Sequence, residues 1–225
     1  MTMKSWSATI KVSSDSIIVF DLDDTLYKEI DFLKSAYLEI AKYLDEDEWK
    51  LLYIQMFSLY RNGQNVFEFL SKKYEVGIDY LLSRYRNHFP KIKLSEGALT
   101  LLETIKKKNG KIAIITDGRS ITQRNKINAL GINNYLDTVL ISEELGFSKP
   151  SKQAFKKLED IYKNCSFTYV ADNLKKDFIA PNALNWDSVY LIDDGLNIHV
   201  SQMDSLNPNN LAKKYISSLN QIIII

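Results

Sequence analysis

The sequence predicts an α/β protein: a doubly wound, Rossmann-like parallel sheet core with an inserted α-helical domain. Three observations lead there. Residues 17–20 read Ile-Ile-Val-Phe without polar interruption, the pattern of a strand buried on both faces. From residue 91 onward, strand-like and helix-like stretches alternate, as in parallel sheets built with right-handed crossovers. Between these two regions, from Phe32 to about Phe89, apolar residues recur only at three- and four-residue spacing.

Taken in order, the first strand runs straight into Asp21, Asp23 and Asp24. If the chain stays extended through Asp23, its two-residue period turns Asp21 and Asp23 to one side and Leu22 to the other. The helical segment then reads as about four helices, with breaks at Asn62-Gly63 and Val76-Gly77. Asp45-Glu46-Asp47-Glu48 is expected to open the second helix, where acids favour the positive end of the dipole. Residues 96–108 form an amphipathic helix with Leu99, Leu102 and Ile105 on the buried face, closed by Asn109-Gly110. Strand 111–116, helix 119–130 and strand 138–142 follow. Helix 150–162 is expected to carry Pro150 in its first turn, and strand 167–171, helix 175–184 and strand 188–192 complete the alternation. The closing run 222–225 reads either as a late strand or as an exposed apolar end. The domains expected are a core of 1–27 with 91–225 and a helical insertion of 28–90.

Composition narrows the function classes. A 225-residue chain with 45% hydrophobic and 25% charged residues and a net charge of +1 offers no basic face for a nucleic-acid polymer and no polybasic membrane patch. No apolar run approaches the ~18 residues of a membrane span, and residues 1–16 lack the apolar core of a signal peptide. A cytoplasmic protein is expected, monomer or homodimer. The single cysteine, Cys165, suits a reducing compartment and, beside an apolar strand, packing rather than catalysis.

Polar residues follow several strands: Asp21, Asp23 and Asp24 the first, Thr116, Asp117 and Gly118 the second, Asp172 and Asp177 the fourth. In open parallel sheets ligands bind at the carboxyl ends of strands. Several carboxylates gathered there repel unless a cation neutralises them or some take up protons. A hard divalent ion bound through oxygen, Mg²⁺ with substrate phosphate, answers that repulsion.

Asp21-Leu-Asp23-Asp24-Thr25, then Thr116-Asp117-Gly118, then Ser148-Lys149-Pro150, and Asp172-Asn173 with Asp177 resemble, in order and spacing, the four motifs of the haloacid dehalogenase-like hydrolase superfamily. The helical insertion resembles the cap of its subfamily I. Leu26-Tyr27 and the stretch from Thr116 to Arg124 look most like small phosphatases acting on nucleoside monophosphates or sugar phosphates. The resemblance implies Mg²⁺-dependent hydrolysis of a small phosphorylated metabolite through an aspartyl-phosphate. By the same resemblance, Asp21 is the nucleophile and Asp23 the general acid and base. Thr116 and backbone N–H groups near Leu22, Asp117 and Gly118 hold the phosphoryl oxygens, and Lys149 supplies positive charge. Asp21, the Asp23 carbonyl and Asp172 bind metal, with Asp177 in support. Asp117 and Ala171 stand where the family often has Asn and Gly.

Arg119 reads equally as a substrate contact or a helix cap, Asp24 as a structural residue, and His88 and His199 as surface or packing residues. A calcium loop is excluded, since Leu26 stands where Gly is needed and Phe32 where Glu is needed. A dehalogenase of the same superfamily would need neither Asp23 nor Mg²⁺. A phospho-accepting receiver is the non-enzyme alternative, although Lys149 precedes Asp172 and the helical insertion has no counterpart there. A phosphosugar mutase is the enzymatic one. Substrate choice is expected to lie in the insertion, with residues 61–65 foremost, and hinges near residues 28–31 and 90–93.

Overall fold

A computed structural model describes residues 6–200 and 207–225. Residues 1–5, the start of the segment expected to carry no leader, lie outside the described residues.

The core is a six-stranded, all-parallel sheet in the order β4-β3-β2-β5-β6-β7. Its strands are β2 (Ser16–Phe20), β3 (Lys111–Thr116), β4 (Thr138–Ile141), β5 (Ser166–Ala171), β6 (Asp187–Leu191) and β7 (Lys214–Ile216). β2 sits at the centre and is buried at every position. Its two-residue period feeds two layers: Ile18 and Phe20 join Leu101, Leu102 and Ile105 on one face, Ile17 and Val19 join Phe155 and Leu158 on the other. Covering both faces explains why this strand is apolar throughout instead of alternating. From β2 the chain builds β3 and β4 on one side, then returns to place β5 on the other. That reversal makes the carboxyl end of β2 the topological switch point, where such sheets open a crevice.

Helices α1 (Glu29–Leu44), α2 (Trp49–Arg61), α3 (Val66–Tyr74) and α4 (Ile78–Asn87) form the insertion. They share their own core, including Leu33, Tyr37, Ile40, Leu52, Met56 and Leu70. The remaining helices are α5 (Ala98–Lys107), α6 (Ser120–Ala129), α7 (Ser142–Leu145), α8 (Gln153–Ile161) and α9 (Ile179–Ala183).

Several expected boundaries move, each for a local reason. Asp45 does not open α2: its carboxylate accepts the N–H of Glu48 at 2.9 Å and the Tyr74 hydroxyl at 2.9 Å, forming a separate turn before Trp49. α5 starts at Ala98, so its buried stripe is Ala98, Leu101, Leu102 and Ile105, and Leu99 is 45% exposed. Gly97 before it has φ +82°, and a Cβ there would lie 2.3 Å from the Asn220 side chain. α8 begins at Gln153, not Pro150. α9 is shorter than expected because residues 173–177 are tied into a loop: the Asn173 side chain accepts the Lys175 N–H, and Asp177 accepts the Asn173 N–H, each at 3.0 Å.

Three short strands were not anticipated in full. β7 extends the main sheet, and β1 (Ala8–Ile10) pairs in parallel with β8 (Ile222–Ile224), which settles the closing isoleucine run as a strand. Among the described residues no helix is long and apolar enough to cross a membrane.

Candidate active site

The end of β2 brings Asp21 to the sheet rim, with its N–H still paired to the Val170 carbonyl at 3.0 Å. Residues after β3 and β5 flank it, and a cavity of about 200 Å³ opens between them. Asp21, Asp23, Thr116, Asp172 and Lys176 line this cavity, together with Glu29 from the start of α1.

At its base lies a buried charge cluster. The Lys149 ammonium, with its side chain 1% exposed, is 2.8 Å from a carboxylate oxygen of Asp21 and 2.8 Å from one of Asp177, and it donates to the Tyr169 hydroxyl at 3.2 Å. Carboxylate oxygens of Asp21, Asp172 and Asp177 lie within 4.8 Å of one another. One ammonium does not balance three acids. Burial pushes the Asp21 carboxyl up to about 7 despite the opposing charge of Lys149. Burial, then the charges of Asp21 and Asp177, drive Asp172 well above the carboxylate range. The Asp172 oxygens accept from the Thr25 hydroxyl at 3.1 Å and the Asn197 amide at 2.9 Å, which orients the group without neutralising it. An all-oxygen donor set with unrelieved negative charge fits a hard divalent cation.

Asp23 faces the same cavity but belongs to a different network. Burial would raise its pKa, yet the Lys126 ammonium at 2.6 Å and hydrogen bonds from Lys126, Tyr27 and Gln123 outweigh this and hold the carboxyl below its usual range. The Gln123 amide, 2.7 Å from Asp23, also reaches the Thr116 hydroxyl at 2.6 Å. Asp24 has φ +55° and accepts the N–H groups of Glu29 and Ile198, each at 2.9 Å, so it ties the start of α1 to the loop after β6.

The other candidates fall into place unevenly. Leu22 is fully buried. Asp117 accepts the Lys149 N–H at 3.1 Å and pairs with Lys176 at 2.9 Å. The Gly118 N–H, expected to face phosphate, donates instead to the Ser142 hydroxyl at 2.9 Å. Arg119 stands at the N-cap position of α6 and pairs with Glu143 at 2.6 Å, outside the cavity lining. Asp177, expected in support, is fully buried, and its carboxylate stands beside those of Asp21 and Asp172. His199, expected on the surface or in packing, lines the cavity, while His88 is buried between Ser35 and Glu39. Residues 61–65 do not line the cavity; Asn65 caps α3 by accepting the N–H groups of Phe67 and Glu68.

Sequence reading missed Gln123, Lys126, Glu29, Lys176 and Asn197. Only the Gln123 and Lys126 spacing, one helical turn apart, offered a signal, and that spacing is equally common on solvated faces.

Comparison with known proteins bears on the family and the fold. Residues 18–190 match the family model of haloacid dehalogenase-like hydrolases. The chain is 28% identical over 199 residues to a glyceraldehyde 3-phosphate phosphatase of Methanocaldococcus jannaschii, covering 78% of this chain and 84% of that one. It is 44% identical to the pyrimidine 5′-nucleotidase YjjG of Escherichia coli, over only 59 residues, 26% of each chain. In structure it superposes on the HAD-hydrolase YfnB of Bacillus subtilis with a TM-score of 0.65 at 18% identity, over 94% of this chain and 97% of the other. A parallel sheet with its acids at the switch point, matched along most of its length by one family model, places this chain in the haloacid dehalogenase-like hydrolase family.

Proposed function

We propose that this protein is a Mg²⁺-dependent phosphomonoester hydrolase that acts through an aspartyl-phosphate on Asp21, with residues 28–90 as a cap over the site. The observation that carries the reading is the meeting, in one small cavity, of the Lys149-bound Asp21 with Asp23 and Thr116.

A carboxylate oxygen of Asp21 attacks phosphorus, and the bond from phosphorus to the ester oxygen breaks. The departing alcohol takes a proton from Asp23. In the second half water attacks the phosphorus of the aspartyl-phosphate and gives its proton to the Asp23 carboxylate, releasing inorganic phosphate and restoring Asp21. The low pKa of Asp23 suits the second half. For the first half, the negative charge of a bound phosphate beside Asp23 favours the proton there. Lys149 offsets charge on Asp21, and the Thr116 hydroxyl would donate to a phosphoryl oxygen. Asp21, Asp172 and Asp177 would hold Mg²⁺, which supplies charge neutralisation for the phosphoryl group.

The cavity also bears on substrate size. About 200 Å³ is below the ~300–1,000 Å³ of sites for larger ligands. A short-chain sugar or polyol phosphate is therefore favoured over a nucleoside monophosphate. The relative matched over most of its length, named for glyceraldehyde 3-phosphate, supports the same class. Purified protein with Mg²⁺ is expected to release free phosphate from glyceraldehyde 3-phosphate faster than from pyrimidine monophosphates. An isomerised product without phosphate release would replace the hydrolase by a mutase, and a long-lived phosphoprotein without turnover would favour a receiver.

A further inference from the structure

We infer that Lys126, with Gln123, is the positioning pair that holds the carboxylate of Asp23 for proton transfer at the cavity. The inference rests on the role given to Asp23 above. Helix α6 buries Thr122, Gln123 and Lys126 beside Ile127, so polar groups occupy a face that packing alone would fill with apolar ones. Lys126 is only 2% exposed, a costly place for an ammonium without acidic partners.

Its partners are Asp23 at 2.6 Å and Glu29 at 3.6 Å, and the ammonium also lies 4.6 Å from the centre of the Phe32 ring. Gln123, three residues earlier on the same face, holds the other Asp23 oxygen and links it to Thr116. Each Asp23 oxygen thus meets a donor from one rigid helix: Lys126 on Oδ1, where Tyr27 joins it, and Gln123 on Oδ2. A carboxyl held this way keeps a fixed orientation at the cavity, which proximity effects reward strongly. Because Glu29 and Phe32 belong to α1, the same ammonium also joins the catalytic rim to the insertion.

Leaving-group dependence separates this role from a purely structural one. kcat/KM reports steps up to departure of the alcohol, and protonation matters little for 4-nitrophenol but greatly for an alkyl alcohol. Along a series from 4-nitrophenyl phosphate to alkyl phosphates, Lys126→Met is expected to lose activity increasingly, from a few-fold to about 10²-fold, within the range of general acid catalysis. Lys126→Arg is expected to restore most of the loss. Asp23→Asn should give a still steeper profile; a flat profile there would remove Asp23 from proton transfer, a failure of the underlying reading distinct from that of the pair. A steep Asp23→Asn series beside a uniform loss in Lys126→Met overturns the pair. If Lys126→Met does not fold, Gln123→Met decides: a slope in the same direction supports the pair, and a uniform loss overturns it.

Discussion

Burial holds the carboxyls of Asp21 and Glu29 above their ordinary range, and each yields a prediction. Asp21 is raised to about 7 by burial, against the attraction of Lys149. Asp21→Asn keeps the shape but removes the attacking oxygen, so phosphate release is expected to fall to background while circular dichroism stays unchanged. Full turnover by that variant would end the mechanism. Glu29 is raised to about 8, first by burial and then by the charge of Asp23, with Lys126 opposing. A raised acid binds a proton in the folded state that the unfolded chain has already released. Its contribution therefore lowers stability as pH climbs from the ordinary value of 4.5 to about 8. In chelator, Glu29→Gln is expected to show a smaller drop in melting temperature between pH 5 and pH 8 than the parent protein, by about a few degrees. An identical drop in both would mean that Glu29 is ionised throughout.

At the scale of elements, α6 and the α2–α3 turn reverse their expected importance. The turn at residues 61–65 looked like the selecting loop, yet its polar groups serve the helices: Asn62 donates to the Ser58 carbonyl and Asn65 caps α3. Asn65→Ala is expected to cost about 1 kcal/mol, as lost N-caps do, and to leave the order of preferred substrates unchanged. A changed order would return substrate choice to that turn. The four-helix insertion also has a core of its own around the fully buried Met56. Met56→Ala is expected to cost roughly 2–5 kcal/mol in chemical denaturation.

For the whole molecule, the proposed cation site at Asp21, Asp172 and Asp177 yields a prediction about stability. Magnesium binding to the folded state alone would stabilise it by about 2.7 kcal/mol at a hundredfold excess over Kd. Protons and metal compete for the same raised carboxyls, so the shift in melting temperature with Mg²⁺ is expected to be larger at pH 8 than at pH 5.5. Chelation is expected to abolish hydrolysis. Absence of any thermal shift at either pH would remove the metal from Asp21, Asp172 and Asp177.

The linear sequence determined the architecture, because a strand buried on both faces must be apolar throughout and parallel strands need helical crossovers between them. It also marked Asp21, Thr116, Lys149 and Asp172, since each follows a strand or stands in a spaced motif, and the structure gathers all four at one end of the sheet. Strands of three residues left too little period to read, which hid β1 and β7 and left the isoleucine run that forms β8 undecided. Tertiary structure alone decided the partners: that the Gly118 N–H turns to Ser142, that Arg119 turns outward to Glu143, and that Lys126 turns inward to Asp23. A lysine on a helix reads as solvated in sequence. Burial beside Asp23, Tyr27 and the Phe32 ring removes the water and makes its charge part of the site.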